Sequence, residues 1–102
     1  MTPVELTLIA LNALNKAKGI NIRLTNVKED SEGGVDFHII WPDGYEDDWG
    51  WPDAWIKNPD HEYSSYVMRN SKSFAGLDDE TKIMAKMMCY MYCLGKDEGH
   101  IK

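Results

Sequence analysis

Apolar positions recur at helical spacing along the start of the chain. Val4, Leu8 and Leu11 share a face with Leu14 at its edge, while Glu5, Asn12 and Lys16 mark the wet side. Thr2 as N-cap, Pro3 in the first turn and Glu5 three residues on form a T-x-x-E capping box, and Gly19 is a stop signal. The period then drops to two. Ile20, Ile22 and Leu24 alternate with Asn21, Arg23 and Thr25; after a polar turn over Glu29–Gly34, Val35, Phe37, Ile39 and Trp41 alternate with Asp36, His38 and Ile40. This is the pattern of a half-buried β-hairpin.

From Pro42 to Pro59 prolines and glycines punctuate the chain, which predicts a loop at the sheet edge with one helical turn after Pro52. Asn58-Pro59 can open a short helix through Asp60, Glu62, Tyr63, Tyr66 and Val67, though alternation over Tyr63–Met68 equally allows a third strand; Arg69–Gly76 reads as loop. The last helix starts at Asp78 as N-cap, with Asp79 and Glu80 against the helix dipole, and stops at Gly95. Its stripe is rich in methionine: Met84, Met87, Met88 and Met91, beside Ile83, Tyr90 and Leu94. Core packing is the default use of such a stripe, and pairing with a second copy in a homodimer is the exception. Residues 96–102 form a polar tail expected to fray. The fold class is α+β: one small domain over 1–102, with an N-terminal helix, an antiparallel hairpin with room for a third strand, and a C-terminal helix packed on the sheet.

At 102 residues, 43% hydrophobic and 27% charged, the composition suits a single modest core. No apolar run approaches the roughly 20 residues of a membrane span. The opening MTPVEL lacks a basic region before an apolar stretch, so no signal peptide and a cytoplasmic location are expected. Cys89 and Cys93 alone make no disulfide framework.

Charge changes the picture more. The net −6 divides into +3 over residues 1–28, −10 over 29–62 and +1 over 63–102. All four tryptophans, Trp41, Trp49, Trp51 and Trp55, lie in the negative third, among Asp43, Glu46, Asp47, Asp48 and Asp53 with no Lys or Arg between them. Aromatics favour burial and carboxylates resist it unless paired, so the mixture points to a partner.

Motif checks narrow that partner's class. Trp-Pro-Asp, at 41–43 and again at 51–53, resembles the general-acid loop of protein tyrosine phosphatases. That family also needs a cysteine followed by a phosphate-cradling loop ending in arginine. Cys89 and Cys93 sit inside a predicted helix with no such loop, so the resemblance is rejected. An EF-hand loop counted from Asp43 would need Gly and Glu where Asp48 and Ala54 stand. The histidines 38, 61 and 100 share no metal-ligand spacing and read as surface residues; Cys89 and Cys93, spaced C-x-x-x-C beside Lys82 and Lys86, read as half-buried thiols. No cofactor or metal is implied.

Three functions differ in class. The leading expectation is a non-enzymatic acidic binding or inhibitor protein that docks on a basic surface of a nucleic-acid-handling partner. Asp43, Glu46, Asp47, Asp48 and Asp53 would supply charge, and Tyr45, Trp49, Trp51 and Trp55 anchors, while Trp41 and one other tryptophan go to the core. Small phage proteins directed against host defence share this acidic character, a likeness of type. Direct binding to nucleic acid or membrane is not expected, because the segment repels anions. The second class is an aromatic cage for a cationic small ligand or methylated lysine. The third is a small carboxylate hydrolase or carbohydrate-binding domain using Asp43 with Asp53.

Overall fold

The computed structural model describes residues 1–58 and 78–102. The expectations for Asp60–Val67, Tyr63–Met68, Arg69–Gly76 and His61 lie outside the described residues. Helix α1 spans Pro3–Lys18, followed by strands β1 (Arg23–Glu29), β2 (Val35–Ile40) and β3 (Glu46–Trp51), the short helix α2 (Asp53–Ile56) and helix α3 (Asp79–Asp97). The strands form an antiparallel sheet in the order β1-β2-β3. Helix α1 lies against α3 and β1, and side chains of both helices and of the sheet share one core. This is the expected α+β arrangement with α3 packed on the sheet.

Capping starts α1 as predicted: the Thr2 hydroxyl accepts from the Glu5 N–H at 3.2 Å, and the Thr2 N–H donates to Glu5 Oε1 at 3.1 Å. Its buried face is rotated from the expected one. Leu6, Thr7, Ala10, Leu11 and Leu14 are buried, whereas Leu8 is 40% exposed. Apolar counting alone overlooked Thr7, whose hydroxyl donates to the Pro3 carbonyl at 2.8 Å and so enters the core without an unmet hydrogen bond. Asn15 then clamps the turn into β1, exchanging two 2.9 Å hydrogen bonds with the Ile22 backbone and holding Ile22 in the core.

The segment after Trp41 corrects the prediction of a loop, because it contains β3. Pro42, Asp43 and Gly44 make a tight hairpin connection: the Gly44 N–H donates to the Trp41 carbonyl at 2.9 Å and the Trp41 N–H to the Tyr45 carbonyl at 2.8 Å. Gly44 has φ +92°, a conformation that glycine reaches without a Cβ clash. The second Trp-Pro-Asp plays a parallel part. Trp51 ends β3 and Pro52 leads into α2, so each copy is a buried tryptophan at or beside a strand end followed by a proline that halts pairing.

Helix α3 begins as expected, with Asp78 accepting from the Thr81 N–H at 2.8 Å. It does not stop at Gly95. That glycine lies within the last turn of the helix, where a Cβ would stand 2.5 Å from Ile101 Cδ1 and 2.7 Å from the Trp41 ring. The end comes at Glu98–Gly99, where Gly99 and His100 donate to the carbonyls of Lys96 and Gly95 in a Schellman-type closure. The tail expected to fray is held, with Ile101 only 4% exposed. Met87 and Met91 are fully buried in the chain's own core, which takes the centre of the methionine stripe away from a homodimer contact.

Lys86 is also buried, at 1% exposure. Its ammonium donates to the carbonyls of Trp55 (2.7 Å) and Asn58 (2.6 Å) and lies 4.1 Å from the Trp55 ring centroid, tying α3 to the end of α2. Removing it strands these carbonyls. Lys86→Met is expected to lower unfolding stability by about 2–3 kcal/mol in urea denaturation. Gly95→Ala should destabilise by roughly 1–2 kcal/mol although alanine is the better helix former, because overpacking outweighs propensity. A rise in stability on Gly95→Ala would show that Trp41 and Ile101 do not need the close approach.

Candidate functional site

The alternation of β3 divides its acids between two faces. The pairings Phe37↔Trp49 and Val35↔Trp51 put Trp49 and Trp51 on the helix-covered side, and the pairing Ile39↔Asp47 puts Asp47 there too. Glu46 and Asp48, opposite Ile40 and His38, occupy the outer side. The acidic segment is therefore two charged rims along one edge strand, not a single loop surface.

Most of the expected anchors are structural. Trp41, Trp51 and Trp55 are 3%, 3% and 8% exposed, and Trp51 stacks on Trp55 with centroids 4.9 Å apart. This corrects the assignment of Trp51 and Trp55 to a partner: opposite Val35 and against Tyr90, their rings gain more by burial in the core. Trp49 is half-buried, and Tyr45, 50% exposed, is the most open aromatic of the segment.

On the outer face His38 bridges the two acids. Its Nε2 is 2.7 Å from Glu46 Oε1 and its Nδ1 2.9 Å from Asp48 Oδ1. Both partners are carboxylate acceptors, so the arrangement selects the doubly protonated imidazolium. The Glu46 hydrogen bond first and the Asp48 bond second raise the His38 pKa above its ordinary 6.5. Nearby, Asn26 at φ 54° marks a bulge between Thr25 and Lys28 in β1, and a recess of about 490 Å³ lies between this bulge and Asp48.

On the inner side a second cleft, about 280 Å³, opens between β3 and α3. Trp41, Trp49 and Tyr90 form its aromatic wall, Ile39 and Leu94 add aliphatic surface, and Asp47 and Glu98 add carboxylates. The rings are contiguous, with Trp41–Trp49 centroids at 6.2 Å and Trp49–Tyr90 at 5.1 Å. The sequence reading did not find Tyr90, Leu94 and Glu98 as site residues. Their spacing of four along α3 was the available signal, but only the placement of β3 beside that face gives it meaning.

At the hairpin end the tail closes over the turn. His100 stacks on Tyr45 (4.4 Å, 9°) and on Trp41 (5.7 Å, 25°), its Nδ1–H donates to Asp43 Oδ2 at 2.7 Å, and its Nε2 lies 3.5 Å from Glu98. The His100 bond, then the Tyr45 backbone N–H, hold the Asp43 carboxyl below its usual range. Asp43 thus serves an internal contact. Asp53 is half-buried at the start of α2 with Lys57 3.5 Å away. Six residues of β3 separate the two aspartates, on the order of 20 Å of strand, against the roughly 5–9.5 Å between carboxyl groups that glycoside hydrolysis uses. The structure does not bring Asp43 and Asp53 together.

Cys89 and Cys93 are free and half-buried, and burial pushes the Cys89 thiol up. For Cys89, burial outweighs the opposing pull of the Lys18 charge. Among the described residues no three His, Cys, Asp or Glu side chains are placed to hold a metal, and no helix is long and apolar enough to cross a membrane.

A raised His38 pKa means that the imidazolium stabilises the fold in full below the unfolded value near 6.5 and stops doing so as pH rises through the folded value. The difference in melting temperature between wild type and His38→Gln should therefore shrink from about pH 5 to about pH 8. A gap that widened over this range would contradict the paired imidazolium. Asp43 acts in the opposite sense: its contribution is present above the ordinary carboxyl value of 3.8 and lost as pH falls through the lowered one.

Searches against protein-family models, curated proteins and solved structures find no match to this chain, so its function is read from the two faces of β3 alone.

Proposed function

We propose that this chain is a non-enzymatic binding protein that docks a basic surface of a partner protein along the β3 edge. One observation carries the reading. Among the described residues strand β3 ends the sheet, and three consecutive carboxylates stand exposed on it, with the Glu46 and Asp48 side chains 56% and 92% exposed. Among the described residues the only cationic side chain paired with any of the three is His38. Such an edge resists pairing with its own kind and attracts cations. Tyr45 and the open part of Trp49 are the aromatic contacts left for the partner once Trp51 and Trp55 are in the core.

A nucleic-acid-handling protein is the partner class that suits this edge best, since its groove is built for spaced negative charge. The chain then acts as a cytoplasmic inhibitor that competes with nucleic acid, in the manner of small phage proteins that block host defence, without itself touching nucleic acid or membrane.

The test uses a panel of purified nucleases and DNA-binding proteins carrying labelled duplex DNA. Wild-type protein should displace DNA from at least one of them, and displacement should weaken from about 0.1 M to about 1 M salt, over which the Debye length falls from about 10 Å to about 3 Å. The triple variant Glu46→Lys, Asp47→Lys, Asp48→Lys should lose displacement while keeping the folded circular-dichroism spectrum of the wild type. Equal displacement by the variant would sink the proposal.

A further inference from the structure

We infer that the cleft between β3 and α3 binds a methylated ammonium group, against the half-buried rings of Trp49 and Tyr90 and between the carboxylates of Asp47 and Glu98. It rests on the reading of β3 as a face for cationic partners, but it uses the inner carboxylate Asp47 and not the outer pair Glu46 and Asp48.

Three observations meet in this cleft. Among the described residues its lining joins the half-buried rings of Trp49 and Tyr90, backed by the buried Trp41, to two acids, with no Lys or Arg. Ring quadrupoles and carboxylates attract the same sign of charge, so their effects add. Its volume of about 280 Å³ suits a single side-chain head or small ligand, below the roughly 300–1,000 Å³ of drug-sized pockets. The chain also seats a cation of its own on a neighbouring member of the cluster. Lys86 lies over Trp55, which stacks on Trp51 beside Trp49.

The apolar walls select among cations. A primary ammonium carries three N–H donors, each needing an acceptor when water is removed. Ile39, Leu94 and the ring faces offer none, so acceptors for those donors are confined to Asp47 and Glu98. A methylated ammonium has fewer or no donors and presents methyl groups to those walls, so it keeps the attraction and loses less hydration. Asp47 has one capacity already committed, accepting from the Asp48 N–H at 2.9 Å, which fixes its carboxylate at the rim.

The experiment follows tryptophan indole N–H signals by NMR, assigned through Trp→Phe variants, during titration with four probes. These are choline, a trimethyl-lysine peptide, the same peptide unmethylated, and the neutral analogue of choline in which a tert-butyl group replaces the trimethylammonium. Choline, the trimethyl-lysine peptide, or both should shift the Trp49 and Trp41 signals and leave Trp55 in place. The cationic probe should bind roughly three- to thirty-fold more tightly than the neutral analogue, the range of a cation–aromatic contact. The preference should fall in the double variant Asp47→Asn, Glu98→Gln, which keeps the rings and removes the two charges. Response to choline identifies a free ligand, and response only to the peptide identifies a modified protein. No shift of Trp49 with any cation, or equal binding of the neutral analogue, overturns the inference. The failures are separable: Glu46→Lys with Asp48→Lys leaves the cleft's own carboxylates in place, so choline binding in that variant reports on the cleft whatever happens to DNA displacement.

Discussion

The register of β3 governs the molecule. Its six residues are three acids, Glu46 to Asp48, followed by Trp49-Gly50-Trp51, and one setting buries Trp51, half-buries Trp49 and leaves Glu46 and Asp48 in water. A slip by one residue would turn Asp48 and Gly50 inward and both indoles outward. Burial of each large aromatic stabilises by a few kcal/mol, while an unpaired carboxylate in the core is far more costly than that, so the alternative register is not competitive. The Pro42-Asp43-Gly44 turn enforces the same choice from the other end, since a tight hairpin of fixed length admits a single pairing. Local turn chemistry and long-range burial therefore agree.

Once β3 is placed, α3 must come close enough to cover Trp41, Trp49 and Trp51. Gly95 makes that approach: its missing side chain is the space taken by the Trp41 ring and by Ile101. The tail is then drawn over the hairpin end, where His100 stacks on Tyr45 and Trp41 and bonds Asp43. The aromatic core and the candidate cleft are parts of one packing arrangement. Trp49 and Tyr90, each half-buried, contact the buried Trp51 on one side and border the cleft on the other.

Charge follows the strands. On the outer face Arg23, Thr25 and Lys28 of β1 stand across from Ile40, His38 and Asp36 of β2, and these from Glu46, Asp48 and Gly50 of β3. Basic residues collect at one sheet edge and acidic ones at the other, with His38 spanning β2 and β3 as a proton-dependent link. A compact run of acids in the chain becomes an oriented distribution, because successive side chains of a strand point to opposite faces.

The sequence by itself determined whatever rests on contacts within a few residues. These are the Thr2–Glu5 capping box, the Asp78 cap, the first two strands with their turn, the start of α2 after Pro52, and a negative third of the chain rich in tryptophan. A Pro-Asp-Gly turn followed by a six-residue run ending in Trp49-Gly50-Trp51, tryptophans two apart, was also there to be read, but prolines and glycines masked it as a loop. Only the tertiary structure decided which aromatics are core and which border a cleft, that Gly95 is a contact and not an end, and that Lys86 and His100 are held by distant partners. Caps, turns and strand periods are short-range, and the residues that make them are neighbours in the chain. Burial depends on which faces meet, and here that was set by strand order and by the approach of a helix some forty residues beyond the strand it covers.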